Sequence, residues 1–180
     1  MLSKATKMLN QRIGVFVDVQ NLFYSAKYIH HSKINFKKLL EIVVGGRGLV
    51  RALAYIVQKA DIDQGNFIDA LLRLGYEIKS KELKERADGT AKGDWDMGIA
   101  IDTISISSKL DTVVLVTGDG DFVPLVEMLK ANGCRVEVIS FEKSTAKELI
   151  ESASEYIPIE ESLLLPTKTP AKKRRQKDGK

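Results

Sequence analysis

One stretch decides the fold of this 180-residue chain: TVVLVTGDGDF, at positions 112–122. Its first five residues are β-branched or aliphatic and favour a buried strand, and a turn with two glycines follows. Asp119 and Asp121 lie at this turn. Because ligands of an open α/β sheet bind outside the carboxyl ends of its strands, both carboxylates are predicted to face a ligand crevice. Gly118 and Gly120 are predicted to let the backbone turn sharply and approach that ligand.

A second stretch of the same kind is GVFVDVQN, at positions 14–21. Asp18 ends its apolar run, and Asn21 follows at the predicted start of a helix. We expect Asp18 to bind a metal ion, and Asn21 to hold Asp18 in place or to contact a substrate phosphate. Asp and Asn are also common helix caps, so a purely structural role stays open for both residues, and for Asp121 in the first stretch.

A third stretch, KGDWDMGIAID at positions 92–102, is predicted to open a long helix. Asp94 is the natural N-cap by residue type. Asp96 falls in the first turn, and Asp94 and Asp96 therefore compete as ligands of the crevice; we favour Asp96. Asp102 interrupts an apolar run and needs a partner if it is buried, so it is predicted to be a metal ligand or a support for one. Lys92 is predicted to contact a substrate phosphate.

Strand and helix patterns alternate along the whole chain. Strands are predicted at 13–18, 49–57, 76–83, 112–117 and 135–140, with a final extended piece at 156–159. Helices are predicted through the apolar stripe Leu22, Phe23, Ala26 and Ile29, at 36–43 with Asn35 as cap, at 63–74, 94–107 and 122–131, and from Ser144 and Thr145 onward, with a loop at 84–93. This alternation predicts a three-layer, Rossmann-like α/β fold with a mostly parallel central sheet.

Several carboxylates in one crevice repel one another unless a cation lies between them. Because the predicted ligands are all hard oxygen atoms, Mg²⁺ or Mn²⁺ is the expected ion. The chain has one cysteine and two histidines, which exclude a disulfide framework and a zinc-ligand cluster. We find neither a signal peptide nor an apolar run long enough for a membrane span, and we expect a cytoplasmic protein.

The net charge of +4 is distributed unevenly along the chain. Residues 166–180, PTKTPAKKRRQKDGK, hold seven basic residues and one acidic residue, so the rest of the chain has a net charge of −2. Such a basic segment is predicted to be a disordered tail that adds weak, salt-sensitive attraction to nucleic acid. A tail that only improves solubility is the alternative.

Removal of residues 166–180 is expected to weaken RNA binding and to make that binding less dependent on salt, because fewer counterions are released. The slope of log affinity against log salt concentration, measured for the full-length and truncated chains, checks this prediction. Equal slopes would leave the tail with a solubilising role only.

Three strings together resemble a known family: GVFVDVQNL, KGDWDMGIAID and LVTGDGDFVPLVEMLKANGCRVEVIS. They are similar to the NYN domain of LabA-like proteins, which are related to the PIN-like nucleases. The resemblance implies a PIN-like domain at 12–162, between an N-terminal extension at 1–11 and the basic tail at 163–180. It also implies a ribonuclease that depends on Mg²⁺ or Mn²⁺. The expected catalytic and metal-binding residues are Asp18, Asp96, Asp119 and Asp121, and the expected substrate contacts are Asn21, Lys92 and Thr117.

The predicted reaction is hydrolysis of a phosphodiester bond in RNA, in the single-stranded form, by water at the metal site. The chain could also form a homo-oligomer. The main alternative is a module of the same fold that binds RNA or protein without catalysis. A receiver-like phosphoacceptor protein is disfavoured, because the strands at 49–57 and 76–83 end without an aspartate.

Overall fold

The computed structural model describes residues 10–58, 63–85, 91–92 and 94–165. Most of the predicted N-terminal extension and the tail from residue 166 onward lie outside the described residues. Every structural statement below refers to the described ranges.

The described residues contain eight strands, six of which form one sheet. The strands are β1 (Arg12–Asp18), β2 (Gly48–Gln58), β3 (Glu77–Glu82), β4 (Lys84–Glu85), β5 (Ala91–Lys92), β6 (Thr112–Val116), β7 (Arg135–Ser140) and β8 (Glu155–Pro158). The sheet has the order β3-β2-β1-β6-β7-β8, and all neighbouring strands are parallel. The predicted α/β fold is therefore confirmed.

Six α-helices cover the two faces of this sheet. They are α1 (Val19–Ile29), α2 (Phe36–Val44), α3 (Gly65–Arg73), α4 (Asp96–Ser107), α5 (Val123–Ala131) and α6 (Lys147–Ser152). The first three bury Leu22, Leu39 and Leu71 in one apolar cluster, and the last three bury Ile99, Val126 and Leu149 in another. Val15 and Val17 face the first cluster while Phe16 faces the second, as the two-residue period of a strand requires. Three layers result.

The order in which strands are added to the sheet changes direction at β1. Strands β2 and β3 follow on one side of β1, and β6, β7 and β8 on the other. Strand β1 pairs with β2 on one side and with β6 on the other, and Val17 lies beside Val116 in this register. The residues that follow in each strand, Asp18 and Thr117, therefore lie at the carboxyl ends of the two central strands. This switch point is where open α/β sheets bind ligands.

The aspartate predicted to cap α4 does not do so. The N-cap is Trp95, and no side chain caps the helix by a hydrogen bond. Instead, the Trp95 indole Nε1 donates to the Ile56 carbonyl at 2.9 Å and fixes the start of α4 on strand β2. This tertiary hydrogen bond stands in place of the expected cap by Asp94, and Asp94 is exposed.

The last helix also begins later than predicted. Residues Glu142–Ser144 form a 3-10 turn, and α6 begins at Lys147. The hydroxyl of Ser144 donates to Ser25 in α1, and that of Thr145 donates to the Phe141 carbonyl. These hydroxyl groups are engaged in linking loops and helices, so they do not cap α6.

Two further segments differ from the sequence-based expectations. The segment at 84–93 is not only a loop, because β4 and β5 form a short antiparallel ladder. The final extended piece is a sixth sheet strand, β8, parallel to β7. In the described part of the chain, no helix is both long and apolar enough to cross a membrane.

The apolar stripe predicted for α1 is only half buried. Leu22 and Ala26 lie in the core, whereas Phe23 is 51% exposed and Ile29 36% exposed. The predicted apolar stripe therefore included two residues of the surface, and the Phe23 ring faces solvent.

Candidate metal centre

Asp18 is the most deeply buried acid at the switch point. Its Oδ1 accepts a hydrogen bond of 3.0 Å from the Asn21 backbone and so caps α1. Its Oδ2 lies 3.5 Å from the Thr117 hydroxyl. Burial raises the pKa of Asp18 to about 6, and the charges of Asp96 and Asp119 act in the same direction. An ionised Asp18 is therefore costly without a nearby cation.

Asn21 joins α1 to the turn after β6. Its side-chain Oδ1 accepts a hydrogen bond of 3.0 Å from the Gly118 backbone. The neighbouring Thr117 hydroxyl accepts one of 3.3 Å from the Asp119 backbone. Thr117 is only 1% exposed and therefore lies inside the site, between Asp18 and Asp119.

Three carboxylates form a cluster beside Asp18. One carboxylate oxygen from each of Asp96, Asp119 and Asp121 lies within 4.8 Å of the others, a spacing that one metal ion can bridge. Asp96 is the first residue of α4, and its pKa is raised mainly by burial. The charges of Asp94, Asp119 and Asp121 raise that pKa further. None of these carboxylates takes part in an ion pair among the described residues.

Asp119 also organises the turn that carries it. Its Oδ1 accepts a hydrogen bond of 3.0 Å from the Asp121 backbone and caps the 3-10 turn Gly120–Phe122. Asp119, and not Asp121, is therefore the structural cap. A capping carboxylate keeps a second oxygen, so capping is compatible with binding a metal ion.

The glycines of this turn lie against a neighbouring segment of the protein. A Cβ at Gly118 would lie 2.7 Å from the Ser144 carbonyl oxygen, and one at Gly120 would lie 2.9 Å from the Ala146 Cβ. The Ala146 backbone donates to the Gly118 carbonyl at 3.0 Å. Both glycines therefore leave room for the segment before α6, and the close approach of this turn to a ligand stays a prediction.

Gly118→Ala is expected to destabilise the fold by about 1–3 kcal/mol, because the new methyl group collides with backbone that cannot move away freely. A fall of several degrees in Tm is expected. Gly48→Ala is the control, since a Cβ there would meet its nearest atom at an ordinary 3.5 Å. Equal melting temperatures for the two variants would contradict this role of Gly118.

Asp102 does not join the acidic cluster. Its Oδ2 accepts a hydrogen bond of 2.9 Å from the Tyr55 hydroxyl and lies 3.3 Å from Lys79 Nζ. Burial and this contact raise the pKa of Tyr55. Asp102 therefore has the partners that a carboxylate in an apolar helix needs. Lys92 lies on β5, but its side chain is outside the described part of the structure.

Lys81 is a basic residue near the cluster that sequence analysis missed. Its Nζ lies 4.6 Å from the centroid of the Trp95 ring. Trp95 directly precedes Asp96 in the chain. Although burial dominates the raised pKa of Asp96, the charge of Lys81 opposes that rise. The pattern at 76–83 predicted a strand, but nothing in it indicated that the charge of Lys81 acts on Asp96.

A parallel sheet with carboxylates gathered at the carboxyl ends of its central strands is consistent with a PIN-like domain, the kind that the sequence resembled. The NYN domain family model matches residues 12–160. The chain therefore belongs to the NYN domain family, whose members generally have nuclease activity.

Similar proteins come from bacteria and an archaeon. The chain is 32% identical to the low amplitude and bright protein LabA of Synechococcus elongatus, over 82% of this chain and 83% of LabA. It is 26% identical to an uncharacterized protein of Methanocaldococcus jannaschii, over 92% of this chain and 62% of that protein. A crystal structure of a protein of unknown function from Vibrio parahaemolyticus superposes with a TM-score of 0.82 at 34% identity, covering 88% of this chain and 98% of that one. The predicted LabA-like relationship is confirmed.

Proposed function

We propose that this protein is a ribonuclease that depends on Mg²⁺ or Mn²⁺ and hydrolyses single-stranded RNA. One observation carries the proposal: the oxygens of Asp96, Asp119 and Asp121 lie within 4.8 Å of one another, without a basic partner in the described ion pairs. The donor set consists of hard oxygen atoms, which fits these two ions. These three residues would hold the metal, and Asp18 lies near enough to Asp96 and Asp119 for their charges to raise its pKa.

The remaining residues of the site orient these ligands. Asn21 and Thr117 tie the turn that carries Asp119 to strand β1 and helix α1. Burial raises the pKa of Asp18 to about 6, so its ionised form at pH 7 would be stabilised by a nearby cation. When bound, the metal ion supplies charge that polarises a phosphodiester and lowers the pKa of water. Lys81, and the predicted contact Lys92, supply positive charge for the substrate phosphate. The basic tail would add attraction to RNA from outside the site.

Cleavage of an end-labelled single-stranded RNA tests this proposal. Products are expected with Mn²⁺ or Mg²⁺ and not with EDTA, and Asp96→Asn is expected to remove them. Asp69→Asn is the matched control, because Asp69 lies exposed on α3, the helix between β2 and β3, away from the cluster. Metal-independent cleavage, or cleavage unaffected by Asp96→Asn, would contradict the proposal. RNA binding without cleavage would support the non-catalytic module.

Millimolar Mn²⁺ is expected to raise the Tm of the wild-type protein, because an ion that binds only the folded state stabilises it. At a hundred times its Kd, such an ion adds about 2.7 kcal/mol to the free energy of unfolding, or several degrees in a domain of this size. Asp121→Asn should lose most of this shift while Asp69→Asn keeps it. A wild-type Tm that Mn²⁺ leaves unchanged would count against a metal centre here.

A further inference from the structure

Helix α1 carries an exposed group of rings around one lysine, here called the α1 ring surface: Phe23, Tyr24, Lys27 and Tyr28. Phe23 is 51% exposed and Tyr28 is 62% exposed. The Tyr24 and Tyr28 rings stack with centroids 5.8 Å apart and planes within 10°, and Phe23 meets Tyr24 edge to face at 6.1 Å. Rings in fixed mutual orientation are preorganised for a flat ligand.

Lys27 lies between the two exposed rings. Its Nζ is 5.6 Å from the centroid of Phe23 and 5.4 Å from that of Tyr28. No carboxylate pairs with Lys27 in the described residues. Residues 19–33 contain two lysines and two histidines but neither Asp nor Glu, although the chain without its tail is slightly acidic. The α1 ring surface therefore suits an anion with flat apolar groups.

This surface leads directly away from the metal centre. Asn21, which contacts the turn before Asp119, lies at the start of the helix face that carries Tyr24 and Tyr28, two of its rings. Tyr24 and Tyr28 follow it at three and seven residues, so they lie below it by one and two turns. At 1.5 Å per residue they are about 5 and 10 Å from Asn21 along the axis, the reach of a few nucleotides.

We propose that the α1 ring surface is a stacking platform for the bases of single-stranded nucleic acid that enters the metal centre. Bases stack on exposed aromatic rings largely regardless of sequence, and a nearby cation attracts the phosphate backbone. The platform rests on the proposed function for its substrate, single-stranded RNA. The proposed platform gives a role to the two large exposed rings, Phe23 and Tyr28, which do not contribute to the core.

The test compares two double variants. Phe23→Leu with Tyr28→Leu removes both rings but keeps apolar side chains, whereas Phe23→Tyr with Tyr28→Phe keeps both rings. Binding of fluorescent 12-nucleotide oligoadenylate and oligouridylate is measured by anisotropy in EDTA, where no cleavage occurs. The leucine variant is expected to bind about tenfold more weakly for each ring that contacts a base. This loss of affinity should be larger for oligoadenylate than for oligouridylate. The ring-preserving variant should bind as the wild type does.

Kinetics with Mn²⁺ add a second readout. The leucine variant should show a raised KM for RNA with kcat unchanged, and unchanged hydrolysis of methyl p-nitrophenyl phosphate, which has no base. Equal RNA affinity of the leucine variant and the wild type overturns the platform, as does an equal loss in both double variants or a wild type that binds no RNA. If the wild type binds through its rings yet never cleaves, the platform stands and the proposed ribonuclease function fails.

Discussion

Asp119→Asn is expected to reduce metal-dependent RNA cleavage at least about a hundredfold, more than the loss usual for residues that only support a metal ligand. The asparagine retains a side-chain oxygen that can accept the hydrogen bond from the Asp121 backbone, so the turn should keep its shape. What disappears is one negative charge from a cluster whose oxygens lie within 4.8 Å. Removing that charge weakens attraction for the ion without opening a cavity.

Two measurements check this prediction. Initial rates of RNA cleavage with Mn²⁺ are compared for the wild type, Asp119→Asn and the exposed control Asp69→Asn. Melting curves in EDTA should show that Asp119→Asn is at least as stable as the wild type, because one like-charge repulsion is gone. A variant that cleaves at the wild-type rate would mean that the activity lies elsewhere or comes from a contaminant.

Asp18→Asn is expected to stabilise the metal-free protein at pH 7 by up to about 3 kcal/mol. Burial raises the pKa of Asp18 from 3.8 to about 6 in the folded state, and each pH unit corresponds to about 1.4 kcal/mol. The folded protein therefore binds more protons than the unfolded chain between about pH 4 and 6, and its stability falls as the pH rises through this range. Above pH 6 the loss is complete, and below pH 4 it vanishes. Asparagine does not titrate, and it retains an oxygen that can cap α1.

Denaturant unfolding in EDTA at pH 4, 5, 6 and 7 measures this difference. The gap between Asp18→Asn and wild type should open between pH 4 and 6 and then stay constant. Adding Mn²⁺ at pH 7 should narrow the gap, because only the wild type retains all four carboxylates. Cleavage by Asp18→Asn should fall although its stability rises. A gap that is equally wide at pH 4 and pH 7 would show that the charge of Asp18 is not its cause.

The acidic positions were accessible to sequence analysis because their signals are local. A strand ends where its apolar run ends, and a polar turn follows, so the positions of Asp18 and Asp119 could be predicted from a few neighbouring residues. The cap of α2 could be predicted in the same way, and Asn35 does cap this helix. These features depend on backbone geometry within one turn.

The errors occurred where a distant segment competes with a local preference. The indole of Trp95 bonds to β2, so Asp94 is not needed as a cap. The chain before α6 packs onto Gly118, a contact that the local sequence did not indicate. Contacts between residues far apart in sequence leave no periodic pattern, and local reasoning cannot detect them.

By itself, the sequence determined the order of strands and helices and the presence of acids at strand ends, since both follow from local periodicity and turn chemistry. Only the tertiary structure decided which acids meet. Asp96 and Asp102 lie on one helix, but six residues separate them by about 9 Å along the axis and by about a third of a turn around it. That rotation places Asp96 beside Asp119 and Asp121, and Asp102 beside Tyr55 and Lys79. The packing of α4 against the sheet sets the rotation, and this packing depends on the whole core.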